Sequence, residues 1–117
     1  MAANILDARI GFQNDIAVIE LSGEINAQAE EALTAAYQKA ETWKPKRILL
    51  DLAKVSYINS TGIALIVSLL GRARKTQTPL MISGLNEHYL EIFRITRLAD
   101  YFEIFPDEQA ALAHSGA

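Results

Sequence analysis

The sequence predicts an α/β fold, a mixed, largely parallel sheet of about five strands backed by about four helices. Three observations carry that prediction. Short apolar runs rich in β-branched residues alternate along the chain with longer stretches of helical period, in the order β-β-α-β-α-β-α-β-α. The run at 47–52 (RILLDL) is nearly continuous in apolar character, as parallel strands are when both faces are covered. The intervening stretches, above all 27–42 and 62–75, carry apolar residues at steps of three and four.

Residues 4–12 (NILDARIGF) alternate only loosely at Ile5, Asp7, Arg9 and Gly11, which predicts an edge strand. The turn signal Gln13-Asn14-Asp15 then introduces a better strand at 16–21 (IAVIEL), which Gly23 is expected to break. In the first helix, 27–42, one stripe joins Ala29, Ala32, Leu33, Ala36, Tyr37 and Ala40. Glu30 and Glu31 suit the positive end of its dipole. Lys44-Pro45 ends it, because the residue before proline is pushed out of helical geometry.

After the strand at 47–52, a helix is expected over 62–75 with Ile63, Ile66, Val67 and Leu70 as its core stripe. Leu65 and Leu69 fall off that stripe and leave an apolar patch for a partner or a deeper burial. Thr78-Pro79 turns the chain into a strand at 80–82, and Ser83-Gly84 leads to a helix over 87–98 with Tyr89, Leu90, Ile92 and Phe93 inward. A short strand at 102–105 follows, and Pro106-Asp107-Glu108 opens the last helix.

Composition narrows the function classes. The chain has 117 residues, half of them hydrophobic and 21% charged, which suits one domain over 1–117. It contains no cysteine, so disulfides, thiolate metal sites and a cysteine nucleophile are excluded. With no basic-then-apolar leader at the N-terminus, a cytoplasmic protein is expected. The longest apolar run, 63–70, is too short to span a bilayer, so no membrane contact is expected. A net charge of −3 with scattered Lys and Arg argues against nucleic acid as a partner.

Catalytic and cofactor signals are missing. His88 and His114 lack a carboxylate or second histidine at ligand spacing, and no glycine-rich phosphate loop is present. Ser60 lacks the glycines of a nucleophile elbow, so an esterase-like enzyme using it is a remote alternative. No enzyme, cofactor or metal is therefore expected. What stands out is Asn59-Ser60-Thr61-Gly62 between strand 47–52 and helix 62–75. It reads as an N-cap, where Ser or Thr is worth about 1 kcal/mol over alanine. The same geometry also sets a hydroxyl where free backbone N–H groups and the helix dipole would accommodate an added phosphate. The two readings are compatible.

The segments LSGEINAQAEEAL (21–33), ILLDLAKVSYINSTGIALI (48–66) and FRITRLADYFEIFPDEQAAL (93–112) resemble the STAS domain, in particular the bacterial anti-sigma factor antagonists. The resemblance runs from about residue 5 to 113. It implies a mixed sheet backed by helices, and a switch by phosphorylation on the first hydroxyl of the motif, here Ser60. The partner is then a serine kinase that is itself the anti-sigma factor. Unphosphorylated antagonist binds it and frees the sigma factor, and a PP2C-type phosphatase resets the protein. Asn26, Asn59, Ser60, Thr61, Gly62 and Leu65 make up the expected partner surface, with Thr61 capping the helix and Gly62 allowing close approach. The alternative is a constitutive STAS subunit of a stressosome-like or transporter-associated complex.

Three positions depart from the family pattern. Asn59 stands where an aspartate often precedes the phosphorylated serine, and Asn26 where a strand-end motif often closes on aspartate. Both keep shape and hydrogen bonding but remove a negative charge, which favours phosphate retention or a different kinase. Arg97 stands where many relatives carry a small residue, and is expected to be a solvated charge at a helix end.

Overall fold

A computed structural model describes residues 6–115, so Asn4 and Ile5 of the predicted edge strand lie outside the described residues. The chain forms strands β1 (Asp7–Gln13), β2 (Ile16–Ile25), β3 (Arg47–Ile58), β4 (Leu80–Ser83) and β5 (Glu103–Phe105). Between and after them lie helices α1 (Glu30–Thr42), α2 (Ser60–Lys75), α3 (Glu87–Ile95) and α4 (Glu108–Ser115), with single 3-10 turns at Ala27–Ala29 and Leu98–Asp100. The sheet order is sequential, β1-β2-β3-β4-β5. Only β1 runs antiparallel to its neighbour. Asn14 and Asp15, at φ 54° and 65°, supply the two positive φ values that a tight β1–β2 hairpin requires.

Parallel neighbours in sequential order, joined by crossovers of one hand, put every connecting helix on one face. Ile19, Leu50 and Ile82 therefore meet Leu33 and Tyr37 of α1, Ile66 of α2 and Phe93 of α3 in the main core. On the other face α4 packs, with Ala111 and Leu112 against Ile16, Val18, Leu49 and Met81. Among the described residues, no helix is long and apolar enough to cross a membrane.

Several elements differ from expectation for local reasons. Gly23, at φ 112°, bends β2 without ending it: the β2–β3 register shifts on either side and pairing resumes to Ile25↔Ile58. Strand β3 accordingly runs six residues beyond the apolar stretch that announced it, from Arg47 to Ile58. Helix α3 stops at Ile95 because Arg97 turns into the left-handed region at φ 69°. Arg97 is otherwise the expected solvated charge, paired with Asp100 at 2.9 Å. Pro106 precedes the cap of α4, since Asp107 Oδ1 accepts the Ala110 N–H at 2.8 Å.

The buried face of α2 is also turned from the expected stripe. Gly62, Ile66, Leu69, Leu70 and Ala73 are buried, Ile63 is half-buried and Val67 is exposed. Residues 62, 66, 69 and 73 follow steps of four, three and four, so either stripe satisfies the helical period. The contact of Gly62 with β2 decides which one faces inward.

Candidate functional site

The C-terminal ends of β2, β3 and β4 form one edge, and each strand hands over to a helix through an asparagine. Asn26, Asn59 and Asn86 have extended backbone, with ψ −168°, −178° and 171°. Their side-chain oxygens accept the N–H of Gln28 (3.0 Å), Gly62 (2.8 Å) and Tyr89 (2.9 Å). Asparagine ranks with serine as a cap, so the device was available in the sequence at all three places.

Asn59 is held at three points. Its N–H donates to Ile25 O (3.2 Å), its carbonyl accepts the Ile63 N–H (2.9 Å), and its side chain caps Gly62. This corrects the expectation that Thr61 caps the helix. A cap needs extended backbone, and Asn59 has it as the continuation of β3, whereas Ser60 and Thr61 already lie inside α2.

The correction matters chemically. Ser60 is the first residue of α2 and is exposed, as is Thr61. Among the described residues, neither hydroxyl nor either backbone N–H has a hydrogen-bond partner. These free N–H groups lie at the positive end of a sixteen-residue helix whose first turn carries no acidic residue. The Ser60 oxygen is thus unengaged, accessible and set where an anion is tolerated.

The neighbours of Ser60 are fixed from below. Gly62 is buried, and a Cβ there would overlap the Ile25 carbonyl oxygen and stand 2.8 Å from its carbon. Its part in the site is therefore steric: only glycine lets α2 start against the end of β2. The Ile58 N–H donates to the buried Tyr89 hydroxyl at 2.9 Å, which ties the end of β3 to α3. Because Ile25 and Ile58 are register partners, Asn26 and Asn59 stand side by side beyond them. Leu65 is half-buried against the main core, while Tyr57, paired with Glu24 just before the edge, is half-exposed. Nothing in the periodicity singled out Tyr57, and the role of the Tyr89 hydroxyl depends on a contact 31 residues away.

Titratable groups lie elsewhere. His88 and His114 are exposed, and His114 Nε2 lies 4.0 Å from Glu103 Oε2, a pairing invisible in the spacing. On the α4 side of the sheet, Glu20, Asp51 and Glu108 converge. Burial pushes the Glu108 carboxyl up to about 7, and hydrogen bonding with Asp51 and Glu20 and their charges add to the rise.

Comparison with known proteins agrees with this geometry. The profile of the STAS domain family matches residues 8–111. The anti-sigma-B factor antagonist of Listeria monocytogenes is 31% identical over 86 residues, covering 74% of this chain and 75% of that protein. The crystal structure of an anti-sigma factor antagonist from Mycobacterium paratuberculosis superposes with a TM-score of 0.85, at 20% identity, over 99% of this chain and 98% of that one. The Bacillus cell fate determinant SpoIIAA in its phosphorylated form gives a TM-score of 0.70, at 16% identity, over 92% of this chain and 98% of that one. At such identities the two structures speak for the fold.

Proposed function

The chain belongs to the STAS domain family, and on that basis we propose that it is an anti-sigma factor antagonist switched by phosphorylation of Ser60. The observation that carries this reading is the Ser60 hydroxyl itself, free because Asn59 performs the capping, exposed, and beside unpaired N–H groups at the start of α2.

In this reading an anti-sigma factor with serine kinase activity docks on the edge formed by Asn26, Asn59, Ser60 and Thr61, flanked by Tyr57 and by the partly covered Leu65. The Ser60 oxygen attacks the γ-phosphorus of the kinase's ATP, its proton passes to a base of the kinase, and ADP leaves. The phosphoserine carries about −1.5 to −2 charges. They are tolerated within the chain by the helix dipole and the free N–H groups but burden the interface. A loss of about 3 kcal/mol there weakens the complex more than a hundredfold. Water delivered by a PP2C-type phosphatase removes the phosphate and restores binding. Asn59 and Asn26 place amides rather than carboxylates near the phosphate, which lowers repulsion and supports its retention. The protein then works in the cytoplasm as a regulator without chemistry of its own.

The test is incubation with the cognate kinase and ATP, with the phosphate mapped by mass spectrometry. One phosphate on Ser60 is expected, with Ser60→Ala binding the kinase but unlabelled and Ser60→Asp losing affinity about a hundredfold, equivalent to the 3 kcal/mol above. Stoichiometric labelling elsewhere overturns the reading. Equal binding by Ser60→Ala and Ser60→Asp assigns the chain instead to a constitutive assembly.

A further inference from the structure

The face of the sheet that α4 covers carries a polar cluster with no part in the Ser60 edge. Glu20 of β2, Asp51 of β3 and Glu108 at the start of α4 each bring a carboxylate oxygen within 4.8 Å of the others, and all three side chains are half-buried. Glu20 and Asp51 are register partners, and Asp51 is in turn the partner of Ser83 on β4. Residues in register on parallel neighbours share a face. Met81, two residues before Ser83, packs in the core beneath α4, so Ser83 points to that same face. Ser83 is 0% exposed, and among the described residues its Oγ has no hydrogen-bond partner. A buried hydroxyl left unpaired beside carboxylates that face one another is an arrangement a cation completes.

We propose that Glu20, Asp51, Glu108 and the Ser83 hydroxyl form a binding site for a hard divalent cation, with calcium the best fit by its flexible coordination. All four donors are oxygen, which selects hard cations over zinc or copper. Calcium holds oxygens at about 2.3–2.6 Å, so ligands across it stand about 4.6–5.2 Å apart. The three carboxylate oxygens lie within 4.8 Å of one another, close enough to converge on one ion in calcium's flexible coordination, whereas magnesium at about 2.0–2.1 Å demands a near-ideal octahedron. Asp51 is already oriented, because its Oδ1 accepts the Ala53 N–H at 3.1 Å. A cavity of about 330 Å³, lined by Arg9, Val18, Glu20 and Glu108 among others, gives a route from solvent and room for the waters that fill the coordination sphere. Arg9 is the register partner of Glu20 but makes no ion pair with the three carboxylates among the described residues. Because Glu108 opens α4, the ion fastens that helix to the sheet.

The experiment uses the full chain, stripped with chelator and titrated at neutral pH with calcium, magnesium and manganese by isothermal calorimetry. One calcium per chain is expected, with a dissociation constant of about 10⁻⁴–10⁻³ M and a thermal midpoint that rises with calcium. Glu108→Gln is expected to weaken binding roughly tenfold or more, and Ser83→Ala by less. Should either variant fail to fold, manganese added to the unaltered protein settles the matter by NMR. Selective paramagnetic broadening around Glu20, Asp51, Ser83 and Glu108 supports the site. No saturable binding up to about 10 mM, ten times the weakest expected constant, overturns the proposal. So does unchanged binding by folded Glu108→Gln, or broadening centred on other residues.

Discussion

Asn59 shows how one side chain decides what its neighbour can do. By taking the Gly62 N–H itself, it leaves the Ser60 hydroxyl uncommitted at the head of α2. Asn59→Ala removes that bond and is expected to cost about 1 kcal/mol in chemical denaturation. Asn59→Asp keeps an oxygen at the same place, beside the positive end of the dipole, and is expected to match the parent within about 0.5 kcal/mol. Gly62 is a harder constraint. A methyl group there runs into the Ile25 carbonyl, which also accepts the Asn59 N–H, so both contacts are strained together. Gly62→Ala is expected to destabilise by about 2–4 kcal/mol, read by the same denaturation curves. If the variant unfolds with the parent's midpoint, the tight contact between α2 and β2 is not a constraint on the fold. Ser60 was legible as a candidate from the polar break in an apolar run. Its freedom was not, since serine, threonine and asparagine are all good caps and only backbone geometry tells which one serves.

At the scale of elements, α2 is the informative case. Its period was plain in the sequence, but its rotation was not, because alternative stripes fit a helix that is apolar over more than one face. The structure buries Leu69 to 2% exposure and leaves Val67 at 37%. Leu69→Ala is therefore expected to cost about 2–4 kcal/mol and Val67→Ala less than about 1. Equal losses in thermal or chemical melts refute the assigned rotation. Strand β3 teaches a similar lesson: its apolar stretch marked only the part covered on both faces, and the extension to Ile58 is held by pairing with β2. That extension positions the site, because it carries Asn59 out to the end of Ile25.

Across the whole molecule the two faces of the sheet are covered unequally. Among the described residues three helices bury one face, and the eight residues of α4, with Phe105, shield Ile16, Val18, Leu49 and Met81 on the other. Deleting residues from 107 onward is expected to lower the thermal midpoint and raise binding of an apolar fluorescent dye, while Ser60, at the head of α2 on the opposite face, keeps its local geometry. A deletion variant as stable as the parent, with no added dye binding, shows that α4 contributes nothing to the cover.

The order of elements, the parallel character of the sheet and the place of Ser60 between strand and helix follow from the sequence by itself, because each depends on period, turn chemistry or caps within a few neighbouring residues. The tertiary structure alone decided three further things: which oxygen caps α2, which side of that helix is buried, and that Glu20, Asp51 and Glu108 meet. These depend on distances between residues far apart in the chain, set by strand register and by the close approach at Gly62, and no local pattern encodes them.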